Sequence, residues 1–335
     1  MFFSANIGIA NYSMLSTAAA HLLMTFGSDE QKALYAAPMV VGDWTGTMCL
    51  SGPHAGSSLA DINTRAEAAA DGTYQIYGTK MWISGAGHEM TENIFNLVLA
   101  KIAGAPPGVQ GISLFILPQR LVDSEGNVGP DNNVTLAGLN HKMGQRGTTN
   151  CLLNFGESGE TIGYLVGEPH HGLRYMFHMM NEARISVGHG ATMLGLAGYL
   201  HSSACAFERT QGRRPGYKDP TAPQVPLIEH ADIRRMLLAQ KTAVEGALAL
   251  CLFSAMLIDQ QALSSGSERE DLTLLLEVLT PITKSWPSEH CLEANKLAIQ
   301  VARSIRQPAR IPAATPPPAR ASLPEWWRRS RPMGA

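Results

Sequence analysis

Ile94-Phe95-Asn96-Leu97-Val98-Leu99-Ala100 and, after a stretch rich in Gly and Pro, Gly111-Ile112-Ser113-Leu114-Phe115-Ile116-Leu117 are the two runs whose reading decides the fold. Both have strand character and both are bounded by turn residues. Working outward, Met48-Cys49-Leu50, Thr73-Tyr74-Gln75-Ile76-Tyr77 and Cys151-Leu152-Leu153 read the same way, and Asp71-Gly72 has the composition of a hairpin turn. Several short strands without intervening helices predict an antiparallel barrel or sandwich over residues 43–167.

Residues 1–42 carry apolar residues at helical positions (Phe3, Ile7, Ile9, Leu15), and Ser28-Asp29-Glu30-Gln31 resembles a capping box. Residues 168–301 return to helical periodicity. One element is expected from Leu173 through Met176, Phe177, Met180, Arg184 and Val187 to about Arg209, a second from Ile228 to Ile258, and a third from Leu272 toward Val301 after a charged Ser/Gly stretch at 264–271. Gly188, Gly190, Gly195 and Gly198 punctuate the first. Each glycine weakens a helix by about 1 kcal/mol, so their clustering predicts close approach of another backbone. The layout is α+β: short helices, a β domain, then a helical bundle.

The chain has 335 residues, 45% of them hydrophobic, and can bury substantial cores. Its longest apolar stretch, 247–258, is too short to cross a bilayer, and Met1-Phe2-Phe3 lacks the pattern of a secretion signal, so the expectation is a cytoplasmic protein with no membrane association. Cys49, Cys151, Cys205, Cys251 and Cys291 form no Cys-x-x-Cys pair and are read as buried thiols of a reducing compartment. No phosphate-binding loop, zinc-protease motif or dinucleotide fingerprint is present, and Gly56-Ser57-Ser58 lacks the second glycine of a nucleophile elbow. His170-His171 has no acid or thiol cluster around it, so no metal site is expected.

Two polar segments remain, Met48-Cys49-Leu50-Ser51-Gly52-Pro53-His54-Ala55-Gly56-Ser57 and Lys80-Met81-Trp82-Ile83-Ser84-Gly85. Both resemble the flavin-contacting motifs of acyl-CoA dehydrogenases. Thr91-Glu92-Asn93-Ile94 and Gly111-Ile112-Ser113-Leu114-Phe115 are similar to the 3-methylmercaptopropionyl-CoA dehydrogenase-like subgroup, and the resemblance covers about residues 4–301. It implies an acyl-CoA dehydrogenase-like fold with N-terminal helices, a middle antiparallel β-barrel and an incomplete C-terminal helical bundle. It also implies FAD as cofactor. Met48, Cys49, Leu50 and Ser51 would present backbone groups and a hydroxyl to the pyrimidine edge of the flavin, with Trp82, Ile83 and Ser84 beside the ring. Ser57 and Arg184 would meet the acyl-CoA substrate, and Arg209 would reach FAD phosphates of a neighbouring subunit, which makes the protein a homo-oligomer. Without the resemblance, Arg209 reads as a solvated cation at a helix end and Trp82 as a core residue. An electron-transfer flavoprotein is the implied electron acceptor. Gly52 stands where the family usually has Glu, and Ser58 where an acid commonly follows the serine.

The family reaction, α,β-dehydrogenation of an acyl-CoA thioester, needs a carboxylate to remove the α-proton. In this subgroup it is expected beyond a Gln-x-x-Gly-Gly-x-Gly segment that also contacts FAD. Gln300 begins such a segment here, but Ala302-Arg303-Ser304 replaces the glycines. Residues 302–335 hold seven arginines, seven prolines and a single acid, Glu325, a local charge of about +6 against about −8 for the rest. This is the composition of an out-of-frame reading, and a frameshift near codon 301 is the expectation; a native disordered tail and a basic nucleic-acid patch around Trp326-Trp327-Arg328-Arg329 are the alternatives. Nucleic acid is not an expected partner. With the carboxylate displaced, Glu182 is the stated substitute, two positions before Arg184. The competing functional class is a catalytically inactive FAD-binding or partner-binding relic.

Overall fold

Every residue of β4 (Ile94–Ile102) from Ile94 to Ala100 is buried, and alternate residues enter different cores. Phe95, Leu97 and Leu99 pack with Leu15, Leu22, Leu23, Tyr35, Met39 and Trp44 of the N-terminal segment. Val98 and Ala100 pack with Ile76, Phe115, Leu117, Leu153 and Phe155. β5 (Ile112–Pro118) divides in the same way. The uninterrupted apolar runs are therefore strands covered on both faces.

The computed structural model describes residues 6–214, 216–217 and 219–302. The frameshift, native-tail and nucleic-acid readings of the Arg/Pro-rich segment, and the helical reading of Phe3, lie outside the described residues. The remaining strands are β1 (Thr45–Cys49), β2 (Arg65–Ala68), β3 (Tyr74–Ser84), β6 (Arg120–Val122), β7 (Val128–Asp131), β8 (Val134–Leu139), β9 (Asn150–Phe155) and β10 (Ile162–Leu165). The main sheet runs β1-β4-β5-β10-β3-β9-β8, with β2 bonded to both β3 and β4. Passing from β4 through β5, β10, β3 and β2 returns to β4, so β2 closes a barrel and leaves β1 on one side and β9-β8 on the other. The antiparallel expectation needs one correction, because β1 and β2 both run parallel to β4. The hairpin at Asp71-Gly72 forms as expected: Gly72 has φ +85° and joins β2 to β3.

Helix α1 (Ile7–Phe26) lays Leu15, Ala19, Leu22 and Leu23 on the outer face of the sheet. Ser28 caps the helical stretch that follows: its hydroxyl accepts from the Gln31 amide and the Gln31 side chain accepts from the Ser28 amide. That stretch comprises α2 (Asp29–Gln31), a π-helical turn (Lys32–Ala36) and α3 (Ala37–Val41).

The chain divides into two compact units, Gly8–Ala183 and a second beginning at Arg184, with the boundary inside α4 (Gly172–Glu208). The second unit holds the rest of α4 with α5 (Ala231–Leu263) and α6 (Gly266–Ala302). The polar stretch 264–271 interrupts less than expected. Only Ser264 and Ser265 leave the helix, and the acidic residues after them sit in the first turns of α6, where the helix dipole favours negative charge. Leu237, Gln240, Val244, Ala247, Cys251 and Ser254 of α5 are buried at alternating spacings of three and four, the seam of two helices packed along their length.

Close approach explains Gly188, Gly195 and Gly198. A Cβ at Gly195 would come 2.8 Å from the Cys291 Cβ, and one at Gly188 would overlap the Thr283 carbonyl oxygen. Pro287, inside α6, has no N–H to offer that carbonyl four residues back, so Gly188 meets an oxygen already without its helical donor. Hydroxyls satisfy the remaining interior, Ser254 with Thr283 at 2.7 Å and Ser202 to Gln240 at 2.8 Å.

By length and composition α5 is apolar enough to cross a membrane, which the stretch 247–258 taken alone is not, and 28% of its most apolar window is buried. Its hydrogen-bonded polar seam is that of a bundle helix, while Leu238, Leu252, Phe253 and Met256, with Leu274, Leu275, Val278 and Ile282 of α6, are exposed. All five cysteines are free and buried, as expected.

Candidate functional site

The end of β1 carries the first candidate segment. Met48 packs toward the helix side and Cys49 into the barrel core. Gly46 lets α1 come close, since a Cβ there would stand 2.6 Å from both the Ala19 Cβ and the Met39 sulfur. Beyond Cys49 the chain leaves the sheet at Leu50 and Ser51, both half-buried, and turns back through Gly52-Pro53-His54-Ala55, closed by the Gly52 amide on the Ala55 carbonyl at 2.9 Å. Ser57 lies past this turn and is exposed.

The second segment ends β3. Ile76 and Lys80, four residues apart, are buried, and the next buried position is Ile83. The phase changes because the β3–β9 register shifts between Met81 and Ile83, leaving Trp82 as an extra residue with φ +67°. A left-handed tryptophan is strained and persists where surrounding structure enforces it. Bulges of this kind re-aim side chains beside functional sites. Trp82 is half-buried, and Ser84 is hydrogen-bonded through its side chain to Asn150 at 3.3 Å.

Three bonds fasten the two segments. The Met81 amide donates to the Ser51 carbonyl at 3.0 Å, the Thr47 hydroxyl to the Ser84 carbonyl at 2.6 Å, and Lys80 Nζ to the Leu50 carbonyl at 2.7 Å. Met48, Cys49, Leu50, Ser51, Trp82, Ile83 and Ser84 therefore form one constellation, as a shared ligand would require. Cys49 offers only its backbone: the thiol is buried at 3.8 Å from the Asn96 side-chain oxygen Oδ1, and burial holds its pKa far above the ordinary range. Lys80 is the residue the motif reading passed over. It has no exposed surface, and burial lowers its pKa to about 7, opposed by Cys49.

Glu182 lies in this first unit with both carboxylate oxygens 3.2 Å from His21 Nδ1 on α1. In the second unit, Arg184 lies near Lys284, whose pKa falls to about 7 through burial first and the Arg184 charge second. Arg209 follows the end of α4, its amide closing the last turn on Cys205 at 3.0 Å and its carbonyl accepting from Leu227 at 2.8 Å. Gln300 is exposed one residue before Val301, which is buried in a cluster with Ala206, Leu227, Met236 and Leu237. Arg209 and Gln300 thus lie at the same end of the three-helix unit.

Known proteins share this framework. A solved butyryl-CoA dehydrogenase from Megasphaera elsdenii superposes with a TM-score of 0.72 at 22% identity, over 90% of this chain and 69% of that one, a likeness of fold. The model of the acyl-CoA dehydrogenase middle domain matches residues 47–157, the segment that holds both loops. The 3-methylmercaptopropionyl-CoA dehydrogenase of Ruegeria pomeroyi is 36% identical over 298 residues, 89% of this chain and 50% of that protein. A broad-specificity linear acyl-CoA dehydrogenase of Mycobacterium tuberculosis is 38% identical over 277 residues, 81% of this chain and 45% of that protein. Residues 47–157 match the middle domain of acyl-CoA dehydrogenases, and the chain is similar to members of that family over most of its length. It spans about half the length of the curated relatives it matches.

Proposed function

We propose that this chain takes part in FAD-dependent α,β-dehydrogenation of an acyl-CoA thioester, with its flavin contacts at the Met48–Ser51 and Trp82–Ser84 segments. The observation that carries the reading is the fastening of these two segments, far apart in sequence, by three hydrogen bonds in a chain similar to members of this family. The donor set suits the cofactor: the Ser51 hydroxyl has no hydrogen-bond partner among the described residues, and Trp82 directly follows Met81, whose amide bonds the Ser51 carbonyl. FAD, when bound, supplies the hydride acceptor. Ser51 would stabilise negative charge at the ring's pyrimidine edge as a preorganised donor, and Trp82, Ile83 and Ser84 would flank the ring. Arg209 and Gln300 would contact FAD, Arg209 acting on the phosphates of a neighbouring copy in a homo-oligomer. Ser57 and Arg184 would orient the thioester, which brings both reacting carbons into position. An electron-transfer flavoprotein would take the electrons onward, in the cytoplasm.

Proton removal from the α-carbon needs a free carboxylate, and the family's base is expected in the sequence that follows Gln300. Glu182 is the substitute within the described residues, and its engagement with His21 means that it must first be released. A second reading, an inactive flavin-binding or partner-binding relic, is favoured by the composition after Val301, which carries seven arginines and one acid. Anaerobic titration with straight-chain acyl-CoA separates the two. A yellow protein whose visible band bleaches supports the dehydrogenase; a yellow protein that does not bleach supports the flavin-binding relic, and a colourless protein that takes up no added FAD refutes both of these and leaves only the partner-binding relic.

A further inference from the structure

A buried lysine is rare, because a charge removed from water needs a partner. Lys80 is wholly buried on β3, and its Nζ meets a backbone carbonyl, that of Leu50, at 2.7 Å. The other titratable group against it is the buried Cys49 thiol. An apolar side chain of the same length would fill this space at lower cost, so the amine is best explained by what it grips. That carbonyl belongs to the residue before Ser51. The Met81 amide takes the next carbonyl, that of Ser51 itself, so consecutive residues of β3 seize consecutive carbonyls of the strand-end loop. One of these two grips comes from a backbone amide that any residue but proline would supply, and the other depends on a lysine.

We propose that Lys80 is a positioning residue of the flavin site, which holds the Leu50-Ser51 strand end from inside the barrel and so fixes where Ser51 presents its hydroxyl. This rests on the reading of Met48–Ser51 and Trp82–Ser84 as flavin contacts. Displacement of a site group by about 1 Å can cost about a hundredfold in rate, so a grip of this kind matters even from behind the site.

The test uses the purified chain, its Lys80→Met and Lys80→Gln variants, and FAD as the probe. The readouts are the FAD dissociation constant, the visible spectrum of the bound flavin, and amide exchange in residues 48–57 compared with 112–118. Lys80→Met is expected to weaken FAD binding about tenfold, the worth of one hydrogen bond, to shift the flavin spectrum, and to speed exchange in 48–57 alone. Lys80→Gln keeps an N–H for the carbonyl and is expected to fall between Met and Lys; it carries the comparison if Lys80→Met does not fold. Unchanged affinity and spectrum in the variants, whatever their exchange, overturn the proposal while leaving the flavin reading intact. A wild-type chain that takes up no FAD overturns the flavin reading, and this proposal with it.

Discussion

Lys80→Met should change how stability depends on pH. In the unfolded chain the Lys80 amine titrates near 10.5, and in the barrel near 7. Between these values the unfolded chain binds a proton that the folded chain does not, so stability rises with pH, by about 1.4 kcal/mol per pH unit from this group. Below about pH 7 both states are charged, and the full penalty, roughly 4 to 5 kcal/mol, weighs on the fold. Methionine removes that penalty but leaves the Leu50 carbonyl without its donor, which costs about 1 to 3 kcal/mol. At pH 6 the variant should therefore be as stable as the wild type or more so, and the advantage should shrink by about 2 kcal/mol on going to pH 8.5. Buried cysteines such as Cys49 and Cys291 have pKa values raised by burial, so they lower stability only as pH climbs past 9, above this window. Urea unfolding of both proteins at half-unit steps from pH 6 to 8.5, with reductant, gives the difference directly. A difference that stays flat within about 0.5 kcal/mol would show that Lys80 is not a buried, neutralised amine, and the reasoning would fall.

Gly188→Ala should destabilise the three-helix unit by about 1 to 3 kcal/mol in thermal unfolding, since the clash with the Thr283 carbonyl outweighs the gain of up to about 1 kcal/mol in helix propensity. Glu182→Gln, assayed by bleaching of bound flavin with acyl-CoA, should leave bleaching unchanged if the base lies elsewhere, and abolish it if Glu182 is the base. Ser51→Ala should weaken FAD binding about fivefold to tenfold by loss of one donor, read by flavin fluorescence on titration. The exposed leucines and Phe253 of α5 and α6 predict association: size-exclusion chromatography should show oligomers or aggregates, and Leu252→Glu with Phe253→Glu should shift the profile toward monomer.

The strands β4 and β5 were legible because burial on both faces writes an unbroken apolar run. β2, Arg65-Ala66-Glu67-Ala68, was not: it is short, charged and composed of helix formers, and only its place between β3 and β4 makes it the strand that closes the barrel. Parallel pairing of β1 with β4 was likewise invisible, because a local pattern does not encode which way a distant partner runs. The glycines of α4 pointed to a close neighbour, yet the neighbour at Gly188 lies almost a hundred residues on, in the Thr283 carbonyl of α6. At the site, the resemblance singled out both segments but not the hydrogen bonds that fasten them. Lys80 stood in the quoted motif without a role, since a lysine in a polar segment is ordinarily assumed to be solvated.

The bulge at Trp82 makes the count of residues in β3 a property of the site. Ile76 and Lys80 reach the barrel in one phase and Ile83 in the other, and the extra residue between them performs the exchange. Drawing Trp82 into a regular ladder would do more than move an indole: the rest of the strand would turn over, sending Ser84 toward the apolar interior and Ile83 outward. A substitution that keeps the bulge alters one surface, whereas one that straightens it inverts every surface after it. Which faces Ile83 and Ser84 present is thus set by the left-handed backbone of Trp82 as much as by its ring.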